Sequence, residues 1–110
     1  MSGYKKTILV GVEIEGTKHE VALRPMRFEE SLDVYDAGAG FADNSKESRR
    51  GQRVAAVRLL PTAILSVTPP ILAEGGEEVT AEEFCSATYF ASIVRDLMDA
   101  WIAQSQPANP

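Results

Sequence analysis

The sequence predicts a small single-domain α+β fold, with an N-terminal β-hairpin followed by three or four α-helices. Apolar residues alternate from Thr7 to Ile14 and again around Val21, as in strands that bury one face. Toward the C-terminus, apolar residues recur at three- and four-residue steps behind a helix-capping motif. The length of 110 residues suits one domain. We assign that domain to residues 1–103, and residues 104–110 to a flexible polar tail.

A two-residue turn at Gly16-Thr17 is predicted to join the two strands. Glycine at the first central position suits a type II′ turn, because φ is positive there. The pairs that this turn implies are Glu15 with Lys18, Val12 with Val21, and Val10 with Leu23. This register places opposite charges together and keeps the branched apolar residues on one face of the hairpin.

Two helices are predicted in the middle of the chain. The first spans about Phe28–Ala37 and carries acidic residues in its first turns, where the helix dipole favours negative charge. A Gly-rich loop, Gly38–Ser45, separates it from a second helix over about Lys46–Leu60. Pro61 is expected to kink or end that helix. We expect Thr62–Val67 to continue as a further helical turn or two.

The last element is predicted to be one long helix. Thr80 and Glu83 have the spacing of a capping box, and the apolar face that follows runs from Phe84 to about Ala103. Before it, Ile71–Val79 is interpreted as a loop, because a hairpin there would set Glu74 against another glutamate.

Charge and cysteine content exclude several classes of protein. The net charge of −5 argues against nucleic-acid binding, which needs clustered cations. The single Cys85 cannot form an intramolecular disulfide, so nothing points to an oxidising compartment. No signal-peptide pattern is present, and no apolar run reaches the ~18 residues of a membrane span. We therefore expect a cytoplasmic protein with no membrane partner.

Candidate catalytic residues are few. His19 and Cys85 would have to meet to form a nucleophile–base pair, and no feature of the sequence brings them together. His19 is interpreted as a partly exposed residue at a strand end, and Cys85 as a small buried hydrophobe. One histidine and one cysteine do not make a metal site. Gly38-Ala39-Gly40 lacks the spacing of a phosphate loop. We expect no enzyme activity, metal or cofactor.

A basic cluster, defined as Lys46, Arg49, Arg50 and Arg53, begins the second helix. It could contact an anionic partner or form a solvated face. Nucleic acid is disfavoured because no aromatic residue interleaves the cations to stack on bases.

The apolar helix faces are the candidate partner-binding surface. A face this broad on a small domain could exceed what the interior absorbs, leaving part for another polypeptide or for self-association. The alternative is ordinary core. The candidate residues are Val54, Val57, Leu60, Val94, Met98, Trp101 and Ile102.

The order of elements resembles a known family. The hairpin passes through Leu23-Arg24-Pro25-Met26 into the acidic helix Phe28–Ala37. Leu59-Leu60-Pro61 lies near the next junction, and Thr80-Ala81-Glu82-Glu83-Phe84 opens the terminal helix. This arrangement is similar to the tail assembly chaperones of long-tailed bacteriophages and prophages, including Mu-like phages.

The resemblance covers about Thr7 to Ile102 and implies a non-catalytic protein of the host cytoplasm. Such chaperones bind the long helical tape measure protein, keep it soluble, and give way as tail tube proteins polymerise around it. Two alternatives stay open. One is a phage structural protein, such as a head–tail connector or tail subunit, and the other is a small regulator of a host protein.

Overall fold

A three-stranded antiparallel sheet and four helices make up the part of the chain that the computed structural model describes, residues 4, 6–42 and 45–105. In chain order the elements are β1 (Ile8–Ile14), β2 (Thr17–Leu23), α1 (Phe28–Gly38), α2 (Lys46–Ala63), β3 (Ile64–Thr68), α3 (Ala81–Ser86), a 3₁₀ turn (Thr88–Phe90) and α4 (Ala91–Gln104). The predicted α+β class, with an N-terminal hairpin before the helices in one small domain, is confirmed.

The hairpin forms as predicted, but its register and turn differ from the prediction. Ile14 pairs with Thr17, so the central turn residues are Glu15 and Gly16. Both have positive φ, 50° and 81°, which is the type I′ turn. The predicted register would have set Ile8 opposite Pro25, which has no N–H to donate. The observed register pairs Ile8 with Leu23. It differs from the predicted register by two residues, so the same side chains stay on the apolar face.

A third strand replaces the helical turns that were predicted for Thr62–Val67. Helix α2 continues through Pro61 to Ala63, and β3 then runs antiparallel to β2. Val67 pairs with Val21. Because β2 offered an unpaired edge beside an apolar segment, strand pairing satisfied more backbone groups than another helical turn would have.

The predicted single C-terminal helix is interrupted at Ala87, whose backbone is extended. Phe84 and Phe90 are six residues apart, which would put them about 120° apart around a continuous helix, so that only one could face the centre of the core. The break allows both to be buried, with their rings edge to face and centroids 5.1 Å apart. The predicted Thr80 cap is present, since its hydroxyl accepts from the Glu83 N–H.

The hydrophobic core lies between one face of the sheet and the helices α2, α3 and α4. Helix α4 packs on β1 and α2, whereas α1 packs on α2. The residues at the centre of the core, each less than 2% exposed, include Ile8, Val21, Leu23, Leu60, Phe84, Leu97 and Trp101.

The connections contain further departures from prediction. Ile71–Val79 is closer to the rejected hairpin than to an open loop, because Val79 N–H donates to Ile71 O and Ala73 N–H to Glu77 O. Glu74 then lies in the turn and faces no glutamate across the pair.

In the predicted loop Gly38–Ser45, Gly38 ends α1, and residues 43–44 lie outside the described residues. Of the predicted tail, Gln104 still belongs to α4, and residues 106–110 lie outside the described residues.

Candidate functional site

Arg24, which directly follows β2, forms hydrogen bonds with three helices, α1, α2 and α4. Arg24 donates from Nη1 to Glu30 Oε1 at 2.7 Å and from Nη2 to Glu30 Oε2 at 2.9 Å. Its Nη2 also donates to Thr62 Oγ1, and its backbone oxygen accepts from Trp101 Nε1 at 2.8 Å. The hydrogen bonds from Arg24 lower the pKa of Glu30. This cluster holds the start of α1 against the ends of α2 and α4, and so positions α1.

Helices α1 and α2 cross at two glycines. A Cβ on Gly51 would overlap the backbone oxygen of Ala37, and a Cβ on Gly38 would lie 2.9 Å from the backbone oxygen of Ser48. Glycine is needed at both positions because only it lets the two backbones approach this closely. This glycine pair was not predicted; its signal in the sequence is a glycine inside a helical pattern, which indicates a packing requirement.

An exposed apolar row, here called the α1 stripe, consists of Phe28, Leu32 and Tyr35. These side chains are 78%, 47% and 39% exposed. Their four- and three-residue spacing puts them on one side of α1. A neighbouring side of the helix, about 80–120° around from Phe28, is buried through Val34 and Gly38. Helix α1 therefore presents large apolar side chains to the outside while packing on α2.

A shallow groove runs between α2 and the C-terminal end of α1, with a volume of about 450 Å³. This α2 groove is lined by Ala37, Phe41, Glu47, Arg50, Gly51, Val54, Ala55 and Arg58. Phe41 and Val54 are about half exposed and form its apolar floor. Glu47, Arg50 and Arg58 form a charged rim.

Most of the predicted partner-binding residues belong to the core, so the predicted contact surface is wrong for them. The fully buried ones are Leu60, Val94, Met98 and Trp101, and those half-buried against the core are Val57 and Ile102. Their apolar face is covered within the subunit because α4 is packed against both the sheet and α2. Val54 alone among the seven is exposed, and it lies in the α2 groove.

The predicted basic cluster divides between two roles. Arg53 makes a two-bond ion pair with Asp99 of α4, at 3.0 and 2.9 Å, so it balances a nearby acid. Arg50 instead lies on the rim of the α2 groove. Lys46 and Arg49 are exposed at the start of α2.

His19 and Cys85 each have a structural environment. His19 is buried, not partly exposed as predicted, because it lies on the inner face of β2 opposite Val12. Its Nδ1 is 2.6 Å from the backbone oxygen of Pro69. Cys85 packs half-buried against the core, and burial raises its pKa to about 11. The thiol is therefore protonated near neutral pH and is a poor nucleophile.

A second hollow lies under the Ile71–Val79 turn, with a volume of about 590 Å³. Its carboxylates are Glu15, Glu74 and Glu83. The hydrogen bond to Glu15 raises the pKa of Tyr89, which also lines the hollow. Among the described residues, no group of three histidines, cysteines or acids is placed to hold a metal ion.

Comparison of the chain with protein-family models, with curated proteins and with solved structures finds no match in any of the three. Within the described part of the chain, no helix combines the length and apolarity needed to cross a lipid bilayer. The described surface carries apolar features on two neighbouring helices, the α1 stripe and the α2 groove, besides other exposed apolar side chains such as Leu65 and Leu72.

Proposed function

We propose that this protein is a non-catalytic tail assembly chaperone that binds an apolar helical segment of a phage tape measure protein in the bacterial cytoplasm. The α2 groove is the observation that carries the proposal, because this groove has an apolar floor and a charged rim and lies alongside a helix. Helix-in-groove recognition uses this kind of surface, with anchors from one face of the bound helix. The resemblance of the hairpin, the Leu23-Arg24-Pro25-Met26 connection and the acidic helix α1 to tail assembly chaperones suggests the client.

The size of the groove suits reversible binding. Its lining on α2 runs from Glu47 to Arg58, which corresponds to about three helical turns, or roughly 16 Å. A contact of that length covers less than the ~800 Å² per partner of a stable interface. Weak binding at each site is what a chaperone needs if tail tube proteins are to displace it. A long client can still be held by many chaperones along its length.

The charge of the chain supports the same role. A net charge of −5 keeps a complex that contains an apolar client soluble, because like-charged complexes repel one another. The protonated thiol of Cys85 and the engaged ring of His19 give no support to covalent catalysis.

Co-expression with a candidate tape measure protein tests the proposal. Val54→Gln removes an apolar side chain from the floor of the groove, and we expect it to lower the soluble fraction of the tape measure protein. Leu9→Thr is the matched control, because Leu9 is an exposed residue on the other face of the sheet. If Val54→Gln solubilises the client as well as the unchanged protein does, the groove is not the binding site.

Purified phage particles separate this proposal from its nearest alternative. A chaperone is absent from finished particles, whereas a connector or tail subunit is retained. Finding the chain in stoichiometric amounts in virions would replace the chaperone proposal with a structural role. Recovery of one host protein in place of tail proteins in a pull-down would favour a regulator.

A further inference from the structure

We infer that the α2 groove also binds the α1 stripe of a second copy of this chain, so that the protein assembles head to tail. Both surfaces are apolar, exposed and carried by neighbouring helices. The stripe of a second copy is identified as the ligand of the groove because the two surfaces match in charge and in length.

The charges beside the stripe and around the groove are complementary. Three carboxylates, Glu29, Asp33 and Asp36, lie beside the stripe, about 80–140° around α1 from Phe28. The rim of the groove presents two cations, Arg50 and Arg58, and one carboxylate, Glu47, all exposed, so that its net charge is positive. Neither arginine forms an ion pair with another residue in the described part of the chain. An acidic, apolar helix is therefore the ligand that this rim and floor fit, and α1 of a second copy is such a helix.

The lengths of the two surfaces agree. Phe28 and Tyr35, the ends of the stripe, are seven residues apart, or about 10 Å along a helix. Arg50 and Arg58 are eight residues apart on α2, or about 12 Å. The stripe can thus lie over Val54 with its flanking carboxylates near both arginines.

The two surfaces lie on opposite sides of α1, and this determines the type of assembly. Ala37, which lines the groove, comes nine residues after Phe28 and is therefore about 180° around the helix from it. A subunit can donate its stripe on one side and accept another stripe on the other. Such a heterologous contact extends into rings or open chains and does not stop at a dimer.

Self-association through the groove follows from these surfaces alone. Its consequence for a client rests on the proposed function: an apolar client helix and the α1 stripe of a second copy would compete for one site. A free chaperone would then keep its own apolar surfaces covered until a client is available.

Sedimentation equilibrium of the full chain over a range of concentrations, without any client, is the first test. We expect the average mass to rise beyond that of a dimer as the concentration increases. Leu32→Gln, in the stripe, and Val54→Gln, in the groove, should each remain monomeric while keeping the circular dichroism of the unchanged protein. Leu9→Thr should associate normally. A chain that stays monomeric at millimolar concentration, or a Leu9→Thr variant that also fails to associate, overturns the inference.

Mixing the two defective variants tests the head-to-tail geometry. Leu32→Gln retains an intact groove and Val54→Gln retains an intact stripe, so together they have one functional contact. We expect the mixture to form a complex of twice the monomer mass and nothing larger. No complex in the mixture would mean that the two surfaces do not bind each other.

Charge reversal provides a test that does not depend on apolar packing. Asp33→Arg and Arg58→Glu should each weaken association by up to about fivefold, as expected for one exposed ion pair. A protein carrying both changes should recover affinity at low salt. If either reversal strengthens association, or if the double variant is weaker than both, the charge complementarity is refuted. Because no tape measure protein is present, these results leave the proposed function to be tested separately.

Discussion

Replacing Gly51 with alanine tests how closely α1 and α2 must approach. Gly51 lies inside α2, and an added Cβ would overlap the backbone oxygen of Ala37 and lie 3.0 Å from its carbonyl carbon. Both of these atoms belong to the backbone of α1, so the clash cannot be relieved by rotating a side chain. The two helices would have to separate, which would loosen the contact between Gly38 and Ser48 as well.

Two opposing effects set the size of the change. Alanine favours the helix over glycine by about 1 kcal/mol. Overpacking of a tight contact costs about 1–3 kcal/mol, and the rigid backbone of Ala37 puts this case near the upper end. We therefore expect a net loss of about 1–2 kcal/mol in the free energy of unfolding. For a domain near this size, each kcal/mol corresponds to about 4–8 °C in Tm.

Urea denaturation followed by circular dichroism measures this loss. The midpoint should fall for Gly51→Ala while the slope m stays unchanged, because the same surface is exposed on unfolding. Gly40→Ala is the matched control, since a Cβ there has no atom within 4 Å and Gly40 has no positive φ. A Gly51→Ala protein more stable than the unchanged one would show that the helix crossing is not tight.

Three further predictions concern other contacts. Glu30→Gln should cost about 2 kcal/mol in the free energy of unfolding, because it removes a charged acceptor from Arg24. The pKa of Glu30 is lowered in the folded protein, so the unchanged protein should lose this stability as pH falls below about 4. In acid denaturation, the variant should therefore show a shallower loss of stability. Trp101→Phe keeps most of the ring but leaves Arg24 O without its donor, so urea denaturation should show a loss of about 1–3 kcal/mol; an unchanged midpoint would contradict this. Cys85, with a pKa of about 11, should react slowly with iodoacetamide at pH 8 and faster as pH approaches 11, whereas a rate already at its plateau at pH 8 would refute the raised pKa.

Local patterns in the sequence determined a large part of this fold. The alternation in β1 and β2 established which residues face inward, because side chains in a strand change sides at every residue. That result survived a register error of two residues. The bounds of α1 and the Thr80 cap were also readable, since capping and helix periodicity act within one or two turns.

Tertiary structure decided the features that depend on distant partners. Whether Ile64–Thr68 became strand or helix depended on the free edge of β2. Whether the C-terminal helix broke at Ala87 depended on the need to bury both Phe84 and Phe90. Neither the free edge of β2 nor the surface that covers both phenylalanines is visible in the residues of the segment itself.

The candidate binding surface shows the same division. From the sequence alone, the Met98 and Trp101 face and the Phe28 and Leu32 face are both apolar rows on helices. Their spacing determined that each row lies along one side of its helix. Only the packing of α4 against the sheet and of α1 against α2 decided that the first row is core and the second is exposed. The physical reason is that periodicity is a property of one segment, whereas burial requires a second surface to cover it.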